Sequence, residues 1–135
     1  MKQYHIISRT AIYILSFVLI AFGVFHIMNP YDLFVYVPEF LPGGVLWVHI
    51  TGAALILVGL SFLTNRFVKL TGYLLAILIL VVILGIHLPN AMNAGAPEMR
   101  RLALVNLLKD AAIFCFALHI AASASQQHLS FEEND

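Results

Sequence analysis

Charge is what this chain lacks most. Only 10% of its 135 residues are Asp, Glu, Lys or Arg, against 61% apolar residues and a mean hydropathy of +0.94. A soluble domain of this size needs about 25% charged residues to cover its surface, so too little polar material exists to face water. Seven basic against seven acidic side chains leave no net charge, and a nucleic-acid partner is not expected without a basic footprint. The single cysteine, Cys115, excludes an internal disulfide and a C-x-x-C redox pair. On a helix it falls about 140° from Asp110, a packing position. Glycine-rich phosphate loops are missing too, because "LPGG" and "AGAPE" lack the Lys-Ser/Thr or strand-turn-helix context such loops require. Low-complexity tracts are absent, and the polar tail "SQQHLSFEEND" is expected to fray.

What is present is four apolar runs, over residues 9–28, 44–63, 67–88 and 102–122, each about the 20 residues needed to cross the hydrocarbon as a helix. The expectation is an all-α membrane protein: one domain over residues 1–135, with four transmembrane helices in a bundle. The first run is too long for a cleavable signal and ends in bulky residues and proline, so it reads as a retained span. Breaker residues separate the others: "NPYDLFVYVPEFLPGG", the tight "TNRFVK" and "PNAMNAGAPEMRR". Lys2 and Arg9 precede the first helix, and Arg66 and Lys69 lie between the second and third. The positive-inside rule then puts both termini in the cytoplasm, with Arg100 and Arg101 counting against it. Tyr31, Phe34, Tyr36, Phe40 and Trp47 suit an outer loop at headgroup level.

Within the fourth run, "LVNLLKDAAIFC" sets Lys109 beside Asp110 where lipid is expected. Nine Leu, Ile, Val or Phe residues between Leu102 and Leu118 contribute roughly −4 kcal/mol to insertion, while two central charges cost about +2.5 to +3.5 kcal/mol each. The helix is marginal alone and must hide these groups against its neighbours. Every helix offers a small or polar stripe at helical spacing: Ser16, Leu19, Gly23 and His26 on the first; His49, Gly52, Ala53, Ile56 and Gly59 on the second; Gly72, Ala76, Leu80, Ile83 and His87 on the third; Ala103, Asn106, Asp110, Ile113 and Ala117 on the fourth.

Depth along the helices brings His26, His49, His87, Asn106, Lys109 and Asp110 into the outer half of the bundle, a candidate ligand pocket. Two readings of Lys109 and Asp110 stand. They form a mutually neutralising structural pin, although adjacent residues point about 100° apart, or they belong to a functional site, the default for ionisable groups inside a membrane. No metal site is assigned: histidine and carboxylate are suitable ligands, but the i, i+3 or i, i+4 ligand pair typical of bundle metal sites is missing. Nothing in the spacing is specific for haem. His5, His119 and His128 lie at the inner side or in the tail. "GVFHIMNP" and "GIHLPN" share glycine, histidine and proline at an outer helix end, which leaves a duplicated helix pair open.

The segments "FGVFHIMNP", "VPEFLPGGVLWVHITGAALILVGLSFL", "HLPNAMNA" and "NLLKDAAIF" together resemble the small four-helix DoxX-type membrane proteins, across roughly residues 11 to 121. The matching positions are His26, Pro30, Pro38, Pro42, Gly52, His87, Pro89, Asn90 and Lys109. The resemblance implies a multi-pass protein of the bacterial inner membrane. Some relatives are named as the membrane subunit of thiosulfate:quinone oxidoreductase or as part of membrane oxidoreductase assemblies. The expected function is therefore a membrane subunit of a quinone- or sulfur-linked redox system, with quinone as candidate ligand and a soluble or membrane redox enzyme subunit as candidate partner. The alternative is a non-enzymatic membrane scaffold whose polar residues only specify packing. A proton or metal pathway is disfavoured because the inner halves of the helices offer no continuing polar relay. No catalytic residue is assigned.

Overall fold

The computed structural model describes the backbone of residues 2–132 and the side chains of residues 6–124. The elements are α1 (Lys2–Met28), α2 (Pro30–Phe34), α3 (Val45–Thr64), α4 (Val68–Val82), a π turn (Ile83–His87), α5 (Leu88–Asn93) and α6 (Pro97–Glu132). Four stretches are long and apolar enough to cross a membrane: Ile6–Met28, Val45–Thr64, Val68–Asn93 and Pro97–Ala124. The protein is an all-α, multi-pass membrane protein. Large apolar side chains such as Phe17, Leu57, Ile77 and Leu108 cover its outside, where lipid replaces water.

The helix ends differ from the sequence expectation wherever it stopped too early. The third span does not end at residue 88 but runs on through the π turn to Asn93, and α6 starts at Pro97 rather than residue 102. At the start of α6 the reason is Pro97, since proline is well tolerated in a first helical turn, where its missing N–H is not needed; in the third span Pro89 interrupts the ladder, and the π turn carries the helix past it. At the other end, α6 continues to Glu132 through the tail expected to fray. Residues 133–135, and the side chains of His5 and His128, lie outside the described residues.

Turn chemistry sets the connections. Gly43 and Gly44 take positive φ of 101° and 52° before α3, which only glycine adopts without strain, and Trp47 Nε1 donates to the Pro42 carbonyl at 2.6 Å across the turn. After α3, Asn65 is left-handed at φ 54° and the Arg66 N–H returns to the Ser61 carbonyl at 3.0 Å, closing the helix as a C-terminal cap of the Schellman kind. Ser61 Oγ then meets Thr71 Oγ1 at 2.7 Å, which ties α3 to α4.

Two helix pairs make up the bundle. α1 packs on α3 with backbones in contact: a Cβ built on Gly23 lies 2.5 Å from the Gly52 carbonyl oxygen, and one built on Gly59 lies 2.8 Å from that of Ser16. α4 packs on α6, where a Cβ on Gly72 lies 2.9 Å from that of Ala121. Between the pairs, α1 makes no backbone-level approach to α4 or α6 among the described residues. A shared core of Leu19, Leu55, Phe62, Leu75, Ala76 and Ile120 joins the pairs through side chains.

Small-residue stripes account for much of this packing. Ser16, Leu19, Gly23 and His26 on α1 are all buried. On α3, Gly52 and Gly59 are buried, whereas His49 and Ala53 are exposed. On the third span, Gly72 and Ala76 are buried, Ile83 and His87 half-buried, and Leu80 exposed. On α6, Ala103 and Ala117 are buried, with Asn106, Asp110 and Ile113 half-buried between them.

Candidate functional site

A defect in the third span builds the site. Pro89 has no amide hydrogen, and its ring crowds the carbonyl four residues back, that of Gly85. The α-helical ladder therefore cannot pass unbroken. The chain widens into the π turn, closed by a bond from the Leu88 N–H to the carbonyl of Ile83, five residues earlier. Single π turns of this kind recur at functional sites. Because the span continues to Asn93, His87 is not at a helix end but about 9 Å inside it.

From this turn, His87 Nε2 reaches Asp110 Oδ2 of α6 at 3.1 Å, with 14% and 17% of the two side chains exposed. With the carboxylate ionised, the imidazole N–H donates. The ion pair expected between Lys109 and Asp110 is not formed: Asp110 faces the π turn, and Lys109 is exposed with no ion-pair partner among the described residues. Adjacent helical residues diverge by about 100°, and a neighbour across the helix pair meets the carboxylate head-on.

Three histidines were expected to converge, and the fold separates them. His26 is buried in the α1–α3 contact, where its Cβ lies 2.8 Å from the position of a Cβ on Gly52. Its Nδ1 donates to the Phe22 carbonyl at 2.8 Å, and its ring stands edge-on to Phe22 with centroids 4.5 Å apart. His49 is exposed and donates from Nδ1 to the Val45 carbonyl at 3.1 Å. Both spend that nitrogen on their own helix. His87 differs, since its Nδ1 has no hydrogen-bond partner among the described residues and is not sealed from its surroundings. At His87 the backbone is the π turn, in which the Ile83 carbonyl accepts from the Leu88 N–H, five residues on.

Asn106 lies one helical turn before Asp110 and is half-buried, its amide likewise without a hydrogen-bond partner among the described residues. His87, Asp110 and Asn106 thus form one polar locus, with Asn106 joined by position and not by a bond. His26, His49 and Lys109 lie outside it. Among the described residues, no group of three His, Cys, Asp or Glu side chains is placed to hold a metal ion.

Two features escaped sequence reasoning. Asn90 Nδ2 donates to the Tyr36 carbonyl at 2.6 Å, fastening the first outer loop to α5; the asparagine after Pro89 was visible, but its distant partner was not. An open groove of about 350 Å³ is lined by Ala91, Pro97, Arg100, Arg101 and Leu104, residues that sequence reasoning treated only as loop charge and helix start. Arg101 there pairs with Glu98 at 3.5 Å, both about three-quarters exposed, a geometry of little energetic weight.

Residues 15–121, most of the chain, match the family described as Domain of unknown function (DUF8561). No curated protein and no solved structure matches the chain.

Proposed function

The chain belongs to the DUF8561 family, a membership that assigns no activity, and from its own residues we propose that it is a membrane subunit of a quinone- or sulfur-linked redox system, holding the polar head of a quinone-like molecule at His87 and Asp110. One observation carries this reading: the free Nδ1 of His87, beside a carboxylate and inside an apolar span. With Asp110 ionised and the imidazole neutral, Nε2–H donates to Oδ2 and Nδ1 is left as an acceptor, suited to a quinol hydroxyl. In the protonated imidazole Nδ1–H becomes a donor, suited to a quinone carbonyl. One ring nitrogen therefore fits both redox forms of the same ligand. Asn106, a turn away, supplies a further donor and acceptor, and the apolar flanks suit the ligand's tail.

The DoxX-type resemblance supports the reading, because "HLPNAMNA" and "NLLKDAAIF" are the segments that carry His87 and Asp110. Electron transfer itself is assigned to a partner subunit, since this chain supplies only binding and hydrogen bonds. We place the protein in the bacterial inner membrane with both termini cytoplasmic, from the charges of its short loops. A reporter fused after Asp135 then behaves as cytoplasmic and one inserted near Gly95 as external.

Binding of a short-chain quinone to the purified protein, measured above a detergent blank, tests the site. The expectation is saturable binding by the wild type, and binding that falls at least tenfold in His87→Leu while the variant stays folded. The scaffold alternative has its own observation, because the same His87–Asp110 contact joins the third span to α6 and so can serve packing alone. That alternative prevails if the folded wild type binds no quinone, or if His87→Leu loses thermal stability but keeps wild-type binding per folded molecule.

A further inference from the structure

Lys109 is the charge that folding leaves outside. It is exposed on α6, has no ion-pair partner among the described residues, and lies eight positions beyond Arg101. At 1.5 Å per residue this is about 12 Å deeper than Arg101, close to the midplane of a hydrocarbon layer about 30 Å thick. That is farther from the headgroups than a four-carbon stem extends. A lipid-facing cation at such depth is among the costliest residues a span can carry, so lipid is a poor neighbour for it.

The residues around it form a seam. Leu102, Val105, Lys109, Ala112 and Phe116 are all exposed, and their spacing alternates three and four positions, the pattern that seats one helix against another in a left-handed pair. The seam lies about 100° round α6 from Ala103, Asn106, Asp110 and Ala117, so an occupant would not compete with the packing already made. Ala112, one turn from Lys109, allows close approach.

We infer that this seam receives a transmembrane helix of a different protein, one carrying an aspartate or glutamate that pairs with Lys109. Charge complementarity selects that occupant. A second copy related by a two-fold axis along the membrane normal brings two Lys109 side chains to the same depth across the seam, like charges in a low dielectric. The nearest carboxylate of such a copy, Asp110, is engaged by His87. The inference does not depend on quinone binding, and it specifies the chemistry of a partner.

Photo-crosslinking in membranes of the source cell tests it. A diazirine amino acid at Val105 or Ala112, flanking Lys109, is expected to capture a membrane protein whose linked peptide is an apolar segment containing Asp or Glu. The same probe at Ile77, exposed on α4, captures lipid only. Lys109→Leu reduces the seam adduct at least fivefold and Lys109→Arg keeps it. Lys109 is exposed, so its loss is expected to leave the fold intact. A second measurement uses the purified protein in liposomes with a synthetic polyleucine helix bearing one central Glu or Gln. Energy transfer should show the Glu helix binding about 5- to 30-fold tighter, the range of interhelical polar contacts in model peptides. Adducts only with lipid or with another copy of this chain, a linked segment without a carboxylate, an adduct unchanged in Lys109→Leu, or equal binding of the two peptides would each overturn the assignment.

Discussion

The α1–α3 pair and the α4–α6 pair do the same job in the same solvent by different means. In lipid there is little hydrophobic drive between helices, and they associate by close packing or by polar contact. The first pair relies on backbone approach at Gly23, Gly52 and Gly59, and its buried polar groups are satisfied at home: Ser16 Oγ on the Ile12 carbonyl and His26 Nδ1 on that of Phe22. The second pair makes one such approach, at Gly72, and adds the His87–Asp110 contact across a π turn. It also leaves the His87 Nδ1, Asn106 and Lys109 without partners among the described residues. The first half keeps the side-chain hydrogen bonds of Ser16, His26 and His49 within single helices and the second makes a polar contact between helices inside the span, so ligands and partners are to be sought first on the second.

The largest effect expected from breaking this division is in the first half. Gly23→Leu forces a side chain into space where a Cβ alone sits 2.5 Å from the Gly52 carbonyl oxygen; overpacking typically costs about 1–3 kcal/mol with some relaxation, but backbone cannot yield as a side chain does. Folded yield in membranes should fall to near zero, and a yield close to wild type would show that the pair is looser than drawn. Next comes the polar pair. His87→Leu or Asp110→Leu alone removes a hydrogen bond to a charged group, at a cost of about 1.5–3 kcal/mol. The double change should cost less than the sum of the single ones. A double-mutant cycle on folded fraction should find this coupling between His87 and Asp110, and none between Lys109 and Asp110; coupling of the two neighbours instead would restore the ion pair that the sequence suggested.

A smaller effect belongs to Asn90→Ala, which removes the bond to the Tyr36 carbonyl. About 0.5–1.5 kcal/mol of stability should go, read as a lower melting temperature in detergent, with faster proteolysis confined to residues 35–44. The smallest is Gly85→Ala. Nothing lies within 4 Å of a Cβ at Gly85, so stability should change by less than about 0.5 kcal/mol. A loss as large as that of Gly23→Leu would mean that the π turn needs glycine, and would blur the distinction between the halves.

Legibility in the sequence tracks how local each feature is. The spans were readable because 20 apolar residues in a row are a local property, and the buried stripe from Ser16 to His26 was readable because helical spacing is too. His87 and Asp110 were both visible as candidates, yet their partnership was not, since it depends on a π turn that carries His87 inward and on which helix lies opposite. His49 misled for a related reason: the buried face of α3 runs through Val48, Gly52, Leu55 and Gly59, and His49, next to Val48, lies about 100° off it. Lys109 and Asp110 looked like a pair only because they are adjacent in the chain.

Composition and periodicity by themselves determined that this protein is helical, crosses the membrane four times, and carries charge on its last span. Those conclusions need only the length of the apolar runs and the residues they contain. Tertiary structure alone decided that the helices pair as α1 with α3 and α4 with α6, that His87 takes Asp110, and that Lys109 is left facing outward. A helix fixes the angle between its own side chains, but only packing against another helix decides which of those angles meets a neighbour.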